Sequence, residues 1–271
     1  MSRLQSFVLP AAAGGAGLIL FGGGAPARAV VTAASVVDYR PGSATSFTDP
    51  AASIGLPSGD TSFGALTPFN PPFLDSHIVV IGGGGRITLR LSSPVAAAGA
   101  GRELGVFANN GLIDVSENGS GVAGSPASTF SPLPSALVSV SADGQTFVPL
   151  GNEPLVFGNP TNFYTDVEIT NYSAPPGAAA ADFSKPFTGT LASFDGLTYA
   201  QMVQLLGGSA GGTWIDVSGA GLSTVQYVRF DVPAGDGQRL VLDAVTAVPE
   251  PGVAWCLVPA LALLARRRRA C

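Results

Sequence analysis

Arg86-Ile-Thr-Leu-Arg-Leu91 alternates charged or polar side chains with apolar ones at every step. A period of two puts Ile87, Leu89 and Leu91 on one face and Arg86, Thr88 and Arg90 on the other, which is the pattern of a half-buried strand. Just upstream, Gly82-Gly-Gly-Gly85 separates this run from the apolar segment 77–81. Four glycines invite a hairpin turn with positive φ values. A phosphate-cradling loop is the other reading, and it is disfavoured because no Lys-Ser/Thr pair and no helical pattern follow.

The same rhythm of short apolar runs between Gly, Pro, Ser, Asn and Asp clusters fills residues 30–248. It predicts strands at 34–39, 77–81, 86–91, 104–108, 136–141, 147–150, 165–170, 224–232 and 239–245. One segment departs from it. Thr198-Tyr-Ala-Gln-Met-Val-Gln-Leu-Leu206 sets helix formers behind a threonine cap and stops at Gly207-Gly208. Met202, Leu205 and Leu206 share one face of that helix, which predicts packing on the sheets. Proline-rich stretches at 67–73, 126–134 and 174–185 read as long surface loops. The fold class is all-β: a β-sandwich with one short helix.

Three stretches carry a resemblance. Val138-Ser-Val-Ser-Ala-Asp-Gly-Gln-Thr-Phe147 places an Asp-Gly turn between paired strands, and Val225-Gln-Tyr-Val-Arg-Phe230 and Leu242-Asp-Ala-Val245 follow near the end. Together they resemble a β-sandwich of the discoidin or galactose-binding type. That resemblance implies a jelly-roll fold, sometimes with a structural calcium and a glycan site in its apical loops. No ligand-contacting motif transfers residue by residue. Such folds bring the chain ends together, which makes Asp38, Asp231 and Asp243 the candidate calcium ligands.

Both ends of the chain read as sorting signals. Arg3 precedes an uncharged Ala/Gly/Leu-rich run at 7–21, and Ala27-Arg28-Ala29 gives a small-x-small cleavage pattern, so residues 1–29 are expected to be a signal peptide cut after Ala29. At the other end, Pro249-Glu250-Pro251 is followed by an apolar run at 252–265 and by Arg266, Arg267, Arg268 and Arg269. The run alone is short for a hydrocarbon core about 30 Å thick. The arginine stems can snorkel to the headgroups and favour a cytoplasmic C-terminus, and Trp255 suits the opposite interface. This tail, 249–271, resembles the PEP-CTERM signal. The resemblance implies export through the Sec machinery, a precursor held in the inner membrane by a C-terminal transmembrane helix, and processing by an exosortase-type enzyme. The product would then reach the cell surface or the extracellular matrix.

Residues 30–248 hold seven basic and 17 acidic side chains, a formal charge near −10 against −5 for the whole chain. Such a body repels nucleic acid and suits divalent cations or neutral glycans. Cys256 and Cys271 both lie in the tail, so no disulfide staples the body. His77 is the single histidine, and no G-x-S-x-G elbow accompanies it. Zinc lacks ligands; calcium, which takes carboxylate and carbonyl oxygens, is the one metal the composition allows, and otherwise no cofactor is expected. Asn118-Gly-Ser120 and Asn171-Tyr-Ser173 match a weak glycosylation pattern.

The expected function is that of a non-enzymatic exported surface or exopolysaccharide-matrix protein. A carbohydrate-binding module is the alternative. A glycoside hydrolase or lyase would need two facing carboxylates and ranks third.

Overall fold

Ile87, Leu89 and Leu91 are fully buried, while Arg90 is exposed and Arg86 half-buried, so the deciding segment is the strand its alternation predicts. The computed structural model describes residues 30–97 and 101–249. In chain order the strands are β1 (Val31–Arg40), β2 (Asp60–Thr61), β3 (Gly64–Ala65), β4 (Val79–Gly82), β5 (Arg86–Ala96) and β6 (Leu104–Ala108). They continue with β7 (Ser135–Ser141), β8 (Val148–Pro149), β9 (Leu155–Val156), β10 (Thr213–Ile215), β11 (Thr224–Asp231) and β12 (Arg239–Ala247). Among the described residues the one α-helix is α1 (Tyr199–Leu206).

Every pairing between these strands is antiparallel. One sheet runs β10-β6-β12, with β4 and the first two residues of β1 sharing the far edge of β12. The second runs β1-β5-β11-β7, with β8 and β9 on the outer edge of β7. β1 belongs to both: Val31 and Thr32 pair with β12, and from Ala33 onward the strand pairs with β5. Between the sheets lies the main core, including Ile81, Ile87, Leu89, Val106, Val138, Val228, Phe230 and Leu242.

The first sheet is covered on its other face as well. Phe107, Trp214 and Ala244 project there into a second core with Phe183, Phe187, Phe194, Tyr199, Met202 and Leu206. Long loops and α1 supply this layer. It explains why β6 reads Leu-Gly-Val-Phe-Ala and β12 Arg-Leu-Val-Leu-Asp-Ala-Val-Thr-Ala without clean alternation: both of their faces are buried. Gly105 makes room for the Trp214 ring, since a Cβ there would lie 2.9 Å from it.

α1 begins as its sequence predicts. The Thr198 hydroxyl accepts from Gln201 N–H, Gln201 Oε1 accepts from Thr198 N–H at 2.9 Å, and Gly207 closes the helix at φ 56°. Met202 and Leu206 are buried, but Leu205 is 41% exposed, so the predicted three-residue stripe is corrected to Tyr199, Met202 and Leu206. Truncating Met202 to alanine is therefore expected to cost about 2–5 kcal/mol and Thr198→Ala about 1 kcal/mol, with Leu205→Ala near neutral, as read from chemical denaturation midpoints.

Two further expectations are overturned. Residues 165–170 form no strand; Tyr164 and Thr170 make isolated bridges to Ala180 and Ser173, and the segment is held as a loop. Gly82-Gly-Gly-Gly85 is no hairpin turn either, because β4 pairs with β12 while β5 pairs with β1 and β11. The glycines instead carry the chain from one sheet to the other. The predicted strand at 77–81 starts at Val79, because the N–H groups of His77 and Ile78 both turn back to Leu74 O.

Candidate functional site

The outer face of the second sheet gathers charge that the sequence scatters. Since Ile87, Leu89, Val228, Phe230, Val138 and Val140 face the core, their alternating neighbours face outward. Strand register aligns those neighbours into three rows: Ser35, Arg90, Tyr227 and Ser141; Asp38, Thr88, Arg229 and Ser139; Arg40, Arg86, Asp231 and Leu137. Asp231 draws two arginines together, taking a hydrogen bond from Arg86 Nε on Oδ1. Arg229 Nε lies 3.0 Å from its Oδ2, without a linear N–H···O alignment. The Arg229 guanidinium also sits 4.3 Å from the centre of the Phe147 ring. The loop between β7 and β8 folds over this side of the face, with Gly144 against the Tyr227 ring. Arg40 stays in the open beside Asp38 at 3.6 Å, and Arg90 makes no ion pair among the described residues.

Asp38, Asp231 and Asp243 do not meet. Asp38 and Asp231 stand on either side of β5, each beside arginine, whereas Asp243 is buried in the first sheet. Among the described residues no three acidic, histidine or cysteine side chains assemble into a metal-holding group. Asp243 is the extra residue of a bulge, since β12 shifts register against β6 between Leu242 and Ala244. Its carboxyl is 1% exposed and accepts from Ser58 N–H at 3.1–3.2 Å and from the Ser58 hydroxyl at 2.9 Å. Burial pushes its pKa up to about 7 against the opposing pull of the Ser58 donors. Of the sorting residues, Ala27, Ala29, Glu250, Pro251 and Arg266, Arg267, Arg268 and Arg269 lie outside the described residues. Pro249 ends them.

Other acids serve their own loops. Burial acts to raise the Asp114 pKa, but the N–H of Val122, the hydroxyl and N–H of Ser116 and the N–H of Gly121 outweigh it and hold it below the usual range. Asp143 is lowered by the N–H groups of Thr146 and Gln145 and by the Ser141 hydroxyl, and Asp216 by Ser218. Asp166 is lowered by the N–H groups of Ala178 and Ala179. It lines an open groove of about 600 Å³ beside α1 with Glu168, Thr198, Tyr199 and Gln204. A general acid needs a raised pKa, and Asp166 is moved the other way. The Tyr199 hydroxyl at the groove floor is pushed up to about 12, chiefly by burial, and donates to Asn162 Oδ1 at 2.9 Å. His77 Nδ1 is buried without a hydrogen-bond partner, and the ring makes no ion pair among the described residues.

No family model matches the chain, and no curated protein or solved structure does either. The arrangement must therefore speak for itself. The sequence shows one face of β5 but not the arginine rows, because the pairing that sets β1 and β11 beside β5 joins segments far apart in the chain. The signal was there: Arg86, Thr88 and Arg90 share one parity in β5, as Tyr227, Arg229 and Asp231 do in β11.

Proposed function

We propose that this chain is a non-enzymatic exported surface or matrix protein. Residues 1–29 direct export, and the tail at 249–271 holds the precursor in the membrane until an exosortase-type enzyme processes it. The body at 30–248 is then a β-sandwich of jelly-roll, galactose-binding-like type. The observation that carries this reading is the junction between body and tail. β12, buried on both faces, runs to Ala247, and Val248 N–H is tied to Glu103 O at 2.9 Å, one residue before Pro249. A tail joined so directly to a central strand suits a rigid load presented at a membrane and then handed on. Carboxylates engaged in loop capping support a binding or structural role over hydrolysis.

Carbohydrate binding is the second reading. It is favoured by exposed aromatic side chains on abutting loops: Phe63, 66% exposed and stacked on Phe73, and Tyr172, 57% exposed. Ser173, beside Tyr172, bonds the Phe63 carbonyl and joins the two loops.

Two tail variants separate anchor from recognition signal. Replacing Arg266, Arg267, Arg268 and Arg269 with neutral residues should weaken membrane retention, since each arginine near an anionic leaflet contributes on the order of 1 kcal/mol. Glu250→Gln adds no hydrophobic cost, so it should insert normally and stay unprocessed. Fractionation in a host with an exosortase, using an antibody to the body, reads both. Wild-type behaviour of both variants would overturn the tail assignment. A hydrolytic activity abolished by one carboxylate substitution would overturn the non-enzymatic reading.

A further inference from the structure

We propose that the outer face of the β1-β5-β11-β7 sheet binds an acidic polysaccharide, with Arg40, Arg86 and Arg90 receiving its carboxylates. The inference rests on the matrix reading above and names the partner that reading leaves open.

The first ground is charge segregation. Arg40, Arg86, Arg90 and Arg229 are four of the seven basic residues in 30–249, and they share their face with only two acids, Asp38 and Asp231. The face is thus net positive by two, while the rest of the body is net −12. A second ground is cost. Register sets Arg40 directly opposite Arg86 on adjacent strands, and like charges so placed destabilise a sheet. Asp231 relieves this by holding Arg86 through Nε, and the terminal nitrogens of that fork make no hydrogen bond among the described residues. Arg90 keeps a whole guanidinium unpaired among the described residues. Planar forks of this kind match carboxylates two bonds at a time.

Geometry then selects among anionic partners. Val31 pairs with Ala247, where the chain leaves for its tail, and Arg40 lies nine residues further along β1, about 30 Å at 3.3 Å per residue. A leaflet reached by the tail is at the wrong end of the strand for Arg40 and Arg86. Duplex nucleic acid carries a charge about every 1.7 Å and would press against the acidic remainder of the body. A second copy of this chain would have to offer acids, and Asp114, Asp143, Asp166 and Asp182 already accept hydrogen bonds from their own loops, while Glu117, Glu153, Glu168 and Asp236 are spread over separate loops and make self-association an outcome the test must read. An extended glycan with a carboxylate every sugar ring or two has the lower charge density that three arginines on a sheet can follow. Its hydroxyls meet the exposed Ser35 beside Arg90, while Thr88 between the arginines of β5 is covered.

The test uses the full chain in neutral detergent, with Arg266, Arg267, Arg268 and Arg269 changed to glutamine in every sample so that the tail does not bind. Titration with polygalacturonate should show saturable binding that weakens with salt, and the fully methyl-esterified polymer should not bind. The double variant Arg40→Gln, Arg90→Gln should bind about tenfold more weakly, while Arg102→Gln, Lys185→Gln, which removes equal charge elsewhere, should change affinity less than twofold. Arg90→Lys keeps the charge and loses the fork, so a partial loss is expected. Both replaced arginines are exposed, and unchanged melting of the variants verifies their fold. Equal losses in the two double variants would overturn the proposal. So would absence of binding at low salt, tighter binding to duplex DNA or to anionic vesicles, or self-association abolished by the face variant. Tail processing is read by fractionation, so the sorting assignment stands or falls apart from this result.

Discussion

Asp243→Asn is expected to make the protein more stable at pH 8 and to flatten a stability profile that in the wild type declines from pH 4 to pH 7. The sign is the reverse of that for a salt-bridged aspartate. An unfolded aspartate titrates near 3.9, whereas burial in the β12 bulge pushes Asp243 up to about 7. Between those values the folded chain holds a proton that the unfolded chain has released, so each step up in pH favours unfolding. Below pH 4 the carboxyl is neutral in both states and contributes nothing. Three units of displacement correspond to on the order of 4 kcal/mol lost by pH 8. The amide of asparagine can accept from Ser58 N–H and Oγ–H through Oδ1 as the acid does, without a charge to desolvate. Around the bulge, β4, β6 and the turn Pro50–Ser53 carry no titratable side chain, and Arg239 and Asp60 lie outside its hydrogen bonds. Asp114, Asp143, Asp166 and Asp216, all held low, weaken the fold only as pH falls below the usual carboxylate range. Wild-type stability should therefore peak under mildly acidic conditions. Urea midpoints measured from pH 4 to pH 8 decide it, and a wild-type curve that is level or rises over that span would sink the assignment.

The contrast between Asp243 and Arg86 shows what the sequence carries. Local alternation places Arg86, Thr88 and Arg90 on one side of a strand, and the structure keeps them there. β6 falls on residues 104–108, as its apolar run bounded by polar residues predicts. α1 follows from Thr198, Gln201 and Gly207, whose hydrogen bonds are local. Where the decisive contact is distant, the reading fails. Thr165-Asp-Val-Glu-Ile-Thr170 alternates as a strand should, but Asp166 reaches across to the N–H groups of Ala178 and Ala179, and Ile169 drops into the second core. β10 is three residues long and exists because Trp214 is seated on Gly105 of β6, a pairing no neighbouring residue announces. The bulge that buries Asp243 is of the same kind. One extra residue in β12 turns an acid that reads as a calcium ligand near the chain end into a sealed, neutral-leaning carboxyl bound to Ser58, 185 positions away.

Gly42→Ala should be strongly damaging for a single added methyl, and Gly84→Ala supplies its control. Both residues have positive φ, 62° and 75°, so both substitutions incur the left-handed penalty of about 1 kcal/mol. Only Gly42 is hemmed in. A Cβ there would lie 2.5 Å from Gly82 O, 2.5 Å from Gly85 N and 2.7 Å from Gly83 O, whereas at Gly84 nothing lies within 4 Å. The turn after β1 packs backbone on backbone against the segment that carries the chain from β4 to β5, and the bonds Gly82 N–H to Pro41 O at 2.9 Å and Ser43 N–H to Gly83 O at 3.1 Å hold them together. Backbone atoms already engaged in those bonds cannot step aside as a flexible side chain would. The two segments must separate, and the crossover that joins the sheets loosens with them. The expected cost for Gly42→Ala is more than about 3 kcal/mol, or roughly 10 °C in Tm for a body of this size, against a few degrees for Gly84→Ala. Equal shifts in the two melting curves would mean that the close approach of these glycines does not hold the sandwich end together.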